Sequence, residues 1–309
     1  LQILPNSSAI VAGSEDDDHI LQLYIGIARL QAALQAFASY SDEINPDWLP
    51  IIKQTAALIN NYQKLAYLAS DIEPDLQQQG SPIVDWTADI DTLKITPKDA
   101  VGANDFQLTL LELIAFTMSD PSLEPQADKP VIDKLAKTLS KQYAKLGKVA
   151  QILQSKKATD SDSITIENND LKNDESQSVD SEDSDLENVN SESDDIENND
   201  TDDKDAEQAM SKLHQQLTTL LYISEFAAPL LEKKKSKKKT KRWLKRLVKA
   251  QTALNHYRNH IMYQQRYQLK SETDSNALYG AGWFAAMLTR DHKRSEKRLA
   301  KVIDSSIFW

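Results

Sequence analysis

Apolar residues recur three and four apart through most of this chain while strand-type alternation occurs almost nowhere, and together these patterns predict an all-α protein. A long acidic stretch in the middle splits the helical pattern in two. The expected architecture is therefore two antiparallel four-helix bundle repeats joined by a disordered acidic insert, with boundaries at 1–157, 158–206 and 207–309.

The first predicted helix covers residues 17–40, where Ile20, Leu23, Ile27, Leu30, Leu34 and Phe37 share a face. Asp16, Asp17 and Asp18 place negative charge in its first turn, which suits the helix dipole. The second begins with Asn45 as cap and Pro46 at the first helical position, then runs through Trp48, Ile52, Ala56, Ile59, Leu65 and Leu68. Pro74, Gly80 and Pro82 are expected to close it. Residues 105–118 and 131–154 form the third and fourth helices, the last opened by Pro130 and patterned by Leu135, Leu139, Tyr143, Leu146 and Leu153. In the second half, helices are expected at 206–232, 238–268, 275–290 and 291–304.

Residues 158–206 are mostly Ser, Asp, Glu and Asn, too poor in apolar surface to offset chain entropy, and are expected to be disordered. An imperfect repeat relates Ile166–Asp170 to Ile196–Asp200, but a calcium loop needs glycine for its turn and this stretch has none.

The formal charge of −11 hides a strong asymmetry. By segment the charge is about −7 for residues 1–159, about −18 for 160–207 and about +14 for the remainder. Between Lys233 and Lys249, 11 of 17 residues are Lys or Arg. On a helix, Arg242, Lys245, Arg246 and Lys249 share one face opposite Trp243, Leu244 and Leu247, and Lys238 and Lys241 extend the charge toward the helix start. That pattern points to a polyanion as partner, and the acidic insert could act as an internal decoy for the same surface. Trp243, in register with Leu244 and Leu247, reads as core.

Several chemistries are excluded or disfavoured. The chain has no cysteine, so disulfides and thiolate metal sites are absent, in keeping with a reducing, cytoplasmic setting. His256 and His260 lie one turn apart but lack an intervening glutamate and neighbour Arg258, so a solvent-facing pair is expected rather than a metal site. His19 and His292 are isolated. Neither a phosphate-cradling glycine loop nor a nucleophile with its base is present, and no enzymatic activity or cofactor is expected. Apolar windows such as Ala277–Met287 are about a dozen residues long, short of the roughly 20 that span a bilayer. The chain begins at Leu1 without the features of a secretory signal, and the missing initiator Met is read as a trimmed or partial chain with a domain upstream.

Particular motifs give the chain a family resemblance. Tyr222–Leu230 (YISEFAAPL), Gln251–Leu254 (QTAL), Gly282–Ala286 (GWFAA) and the terminal Phe308–Trp309 occur in the order and spacing of the conserved histidine α-helical domain, CHAD. In the first half, Ile3–Asn6, Ile25–Leu34 and Phe106–Gln107 ahead of Leu110, Leu111 and Leu113 are similar to the same family. The resemblance spans nearly the whole chain except the acidic insert. It implies two four-helix repeats, inorganic polyphosphate held in a basic groove between them, and a CYTH triphosphatase domain preceding them on one polypeptide. The Glu-x-Glu-x-Lys signature of that triphosphatase is absent here. Where the family's first helix carries its histidine and several arginines, this chain has Leu21, Tyr24, Ala28 and Gln31, leaving Arg29. In the fifth helix, Ser211, Gln215, Gln216, Thr218 and Thr219 stand where cations are expected, leaving Lys212 and His214 to carry positive charge. The implied ligand-binding set is therefore Arg29, Lys212, His214, Lys238, Lys241, Arg242, Lys245, Arg246, Lys249, Arg294 and Arg298, a weakened groove. A degenerate scaffold or protein-interaction domain, and non-specific nucleic-acid binding through the Lys/Arg run, are the competing readings.

Overall fold

A computed structural model describes residues 2–14, 16–119, 131–162, 201–231 and 237–309, with side chains described outside 39, 131, 152–162 and 201–208. The chain is all-α, and among the described residues there is no strand. In order the helices are α1 (Ile3–Val11), α2 (Asp17–Phe37), α3 (Trp48–Tyr67), α4 (Glu73–Gln78), α5 (Thr87–Asp91), α6 (Pro97–Gly102), α7 (Asn104–Met118), α8 (Val131–Asp162), α9 (Thr201–Leu231), α10 (Lys237–Lys270) and α11 (Ala277–Ile303).

Among the described residues three apolar cores hold these helices. One gathers Ile10, Leu23, Ile27, Ile52, Ile59, Val101 and Phe106 from α1, α2, α3, α6 and α7. A second joins Leu135, Leu139 and Leu146 of α8 to Leu217, Leu220 and Ile223 of α9, Trp243 and Leu247 of α10, and Phe308 of the C-terminal tail. The third packs Leu65, Leu68 and Trp86 against Tyr263 and Tyr267 of α10 and Phe284 of α11. Side chains from both flanks of the acidic stretch therefore meet in shared cores.

The last core is pinned by a buried carboxylate. Glu73 accepts hydrogen bonds from the Val84 amide (2.9 Å), from Trp86 Nε1 (3.4 Å) and from the Tyr267 hydroxyl. Burial, then the Glu73 bond, pushes the Tyr267 hydroxyl far above its ordinary pKa, so it stays a donor. The Tyr267 ring lies so close to α11 that a Cβ at Gly280 would come within 2.4 Å of it. Only glycine lets α10 and α11 approach this closely.

Most predicted helices form, with instructive differences. Residues 275–290 and 291–304 belong to one continuous helix, α11. Nothing in Arg290–Asp291–His292 breaks a helix, and Asp291, though buried, is satisfied by His260 Nδ1 at 2.7 Å. Asn45 does not cap α3; its side chain accepts the Asp47 amide in a turn, and the helix begins at Trp48. Pro74 does not stop the second helix either. A π-turn at Leu68–Ile72 leads into α4, where Pro74 occupies the first turn, and Gly80 at φ +91° then ends it. Asp17 and Asp18 lie in the first turn of α2 as expected, while Asp16 caps it, accepting the Asp18 amide at 2.9 Å. The short helices α1, α5 and α6 went unread in the sequence.

By length and apolar content α2 meets the requirement for a membrane span, unlike any window noted in the sequence. Its Ile20, Leu23 and Ile27 are instead consumed by the core. Helix α8 continues to Asp162 and α9 starts at Thr201, so both ends of the predicted linker are helical; 163–200, with the Ile166 and Ile196 repeats, lies outside the described residues. So do Lys233, Lys234 and Lys235 of the basic run.

Candidate functional site

On α10 the inward positions are Thr240, Trp243, Leu247 and Ala250, spaced three and four apart. That register sends Lys241, Arg242, Lys245, Arg246 and Lys249 outward, as the sequence pattern requires. Trp243 is fully buried, donating Nε1 to Ser224 Oγ at 3.2 Å and lying edge-on to Tyr143 and Trp309. Its core role holds. Helix α11 returns antiparallel along α10 and buries Ser295 and Val302, which turns Arg294, Lys297, Arg298 and Lys301 away from the core.

The two rows meet. A cleft of about 420 Å³ is lined by Arg242, Lys245, Arg246 and Lys249 from α10 and by Arg298, Lys301 and Asp304 from the end of α11. Six cations thus face one carboxylate, and among the described residues none of the six lies within ion-pairing distance of any acidic group. Arg246 and Arg298 are half-buried, and the others are exposed. Such a concentration of like charge is self-repulsive until an anion enters.

Five members of the sequence-derived set, Arg242, Lys245, Arg246, Lys249 and Arg298, are brought together here. Lys238, Lys241 and Arg294 are exposed on the same two helices but do not line the cleft, and Lys212 is exposed on α9. Lys301 and Asp304 complete the lining without having been in that set. The helical repeat could have supplied Lys301, since it lies three residues beyond Arg298.

Arg29 and His214 sit elsewhere, at the seam between α2, α3, α9 and α10, and neither is a free cation. Arg29 Nη2 donates to Glu225 Oε2 at 2.7 Å, and its guanidinium rests 5.6 Å from the centre of the Tyr222 ring. Glu225 is thus a partly exposed ion-pair partner. Burial first, then the charges of Arg258 and Lys64, push His214 down to about 3. His214 is therefore neutral near pH 7, a correction to its place among the charge carriers.

His256 and His260 are not the solvent-facing pair expected. His256 is exposed, but His260 turns inward and its Nδ1 bonds Asp291. Desolvation keeps His260 below its usual pKa despite the opposing pull of Asp291, so the neutral ring donates to the carboxylate. Among the described residues no three His, Asp or Glu side chains are grouped to hold a metal ion.

The profile of the CHAD domain family matches residues 2–268. Among solved structures, the crystal structure of the CHAD domain from the plant Ricinus communis superposes with a TM-score of 0.62, covering 99% of this chain and 88% of that one at 13% identity. At that identity the likeness is one of fold. No curated protein matches the chain.

Proposed function

The chain belongs to the CHAD domain family, and from that membership we propose that it is a non-catalytic accessory module that binds inorganic polyphosphate or a similar polyanion in the cleft between α10 and α11. In this reading residues 1–157 and 207–309 are the two repeats, 158–206 links them, and the module works in the cytoplasm beside a CYTH-type triphosphatase domain outside this chain.

The observation that carries the proposal is the convergence of six cations on one cleft, none of them ion-paired among the described residues. A solvated helix face would explain basic residues on α10 alone, but two helices would not then aim theirs at a common volume. Cations suit the end of α11, whereas Lys237 to Arg242 crowd the positive end of α10, whose first turn holds no acid. That placement costs helix stability and is best understood as serving a ligand.

The groove between the repeats supplies little to this binding, because Arg29 is held by Glu225 and His214 is neutral. Those two facts favour the second reading, a scaffold that kept the family's core and shed its ligand. Filter retention with polyphosphate, single-stranded DNA and RNA across a salt series separates the alternatives. Binding in the cleft should give log K against log salt a slope of about −4, taking about 0.7 per phosphate for six phosphates. Charge reversal of Arg242, Lys245, Arg246 and Lys249 together should abolish retention. A scaffold would retain none of the three, and retention unchanged by the reversal would remove the cleft as the site.

A further inference from the structure

We infer that α7 is a self-association surface, through which two copies of this chain pair as an antiparallel two-helix seam. The inference stands apart from the proposed anion binding. Helix α7 is apolar on two sides. One side, with Phe106, Leu110, Leu113 and Phe116, is spent on the core it shares with α1, α2, α3 and α6. The other carries Leu108, Leu111, Ala115 and Met118, all exposed, the three large ones at 59%, 61% and 81%. No other large apolar side chain among the described residues is as exposed as Met118.

Single apolar residues on a surface are ordinary, but these four form a line. Their spacing of three, four and three is that of the a and d positions of a coiled-coil seam, and no charge falls on the stripe itself. The chain has little of its own to lay over it. Segment 120–130 holds Pro121, Pro125 and Pro130 with Leu123 as its only large apolar residue, 163–200 is strongly acidic like Asp105 and Glu112 beside the stripe, and 232–236 is wholly polar. A second copy fits, because this spacing reads the same in both directions and so suits a two-fold, isologous contact. Run antiparallel, the helices set each Leu108 against the other copy's Met118 and each Leu111 against the other copy's Ala115, a large residue in every layer. Run parallel, they would face Ala115 with itself and leave a gap in mid-seam.

Four side chains on each copy supply less than the roughly 800 Å² per partner of a standard interface, so the dimer is weak and forms at high protein concentration. Charge sets its salt response. In the antiparallel arrangement Glu112, which flanks the seam and accepts Trp48 Nε1 at 2.6 Å, faces its own counterpart, and α7 has no cation to answer it. Salt screens that repulsion, so pairing tightens as salt rises. Association of the acidic first half of one copy with the basic second half of another would do the reverse.

Sedimentation equilibrium of the full chain, from about 5 to about 500 µM at about 0.1 and about 0.5 M sodium chloride, tests this. We expect a monomer–dimer equilibrium with Kd on the order of 50 µM, tighter at the higher salt. Leu111→Glu with Met118→Glu, checked for native circular dichroism, puts charge into the seam without touching the core and should raise Kd at least about tenfold. Direction is read from cross-links, since the chain has no cysteine to confuse them. Leu108→Cys and Met118→Cys proteins oxidised together should form the mixed disulfide, and neither should cross-link alone, because ten residues of helix separate like positions by about 15 Å. A disulfide formed by either protein alone would mean parallel pairing and overturn the arrangement. A dimer that salt dissolves, or one unmoved by the glutamate pair, overturns the inference. So does a monomer at every concentration, which would leave the stripe to a helix of some other protein.

Discussion

At the scale of single residues, the seam between the halves owes its character to burial more than to residue type. In the sequence His214 reads as a cation because histidine can be one, but burial decides against the charged form, and the nearby Arg258 and Lys64 disfavour it further. The sign of its pH dependence follows. Because the folded value is about 3 and the unfolded value about 6.5, only the unfolded chain binds this proton in between, so stability rises with pH across that window and is lost on acidification. From pH 7 to pH 5 the group should cost at most about 2 kcal/mol. His214→Leu should flatten that part of the profile in urea titrations at the two pH values; an unchanged slope would assign the acid sensitivity elsewhere. Gly280 makes a steric prediction. Tyr267 is fully buried and tethered through its hydroxyl to Glu73, so it has little room to yield to a new methyl group. Gly280→Ala should therefore destabilise by about 1–3 kcal/mol, seen as a lower urea midpoint. Neither Glu73 nor Gly280 could be picked out in the sequence, because Glu73 matters through Tyr267, 194 positions away, and Gly280 through the close approach of α10 and α11, which no local pattern reveals.

At the scale of elements, the periodic signal was a good guide wherever a helix is amphipathic and long. The α10 register, and with it the outward set Arg242, Lys245, Arg246 and Lys249, could be read directly, since Thr240, Trp243 and Leu247 fix which side is buried. The counterpart row on α11 was visible as composition, but its meeting with α10 depends on how the hairpin closes. In the sequence α11 looks like two helices, because charged residues in mid-helix resemble a break when their buried partner, here His260, is unknown. The clamp between those residues is itself open to test. Asp291→Asn removes the charge but keeps an acceptor for His260, and should cost less than Asp291→Leu, which leaves the imidazole N–H without a partner at about 1–3 kcal/mol. Equal losses would mean that packing alone matters at this position.

At the scale of the whole molecule, the cores bind the two flanks of the acidic stretch into one body. Leu135, Leu139 and Leu146 lie before it and find their partners in α9 and α10 after it. The fragment 1–157 expressed alone should therefore fail to unfold cooperatively by circular dichroism, and adding 207–309 should restore a single transition. Autonomous folding of either fragment would show that the shared core is dispensable. The family and the all-α class were legible because motif order and helical period survive without coordinates, whereas the closing of the cleft was not, being a product of the α10–α11 crossing. One arrangement near that crossing has a practical consequence. Trp243 and Trp309 lie edge-to-face, 5.3 Å apart, with Trp243 on the inner side of the same turns of α10 that carry the cleft's arginines. Any ligand that draws those turns and the end of α11 together will disturb a coupled indole pair, so the protein's own ultraviolet emission can report occupancy without a dye.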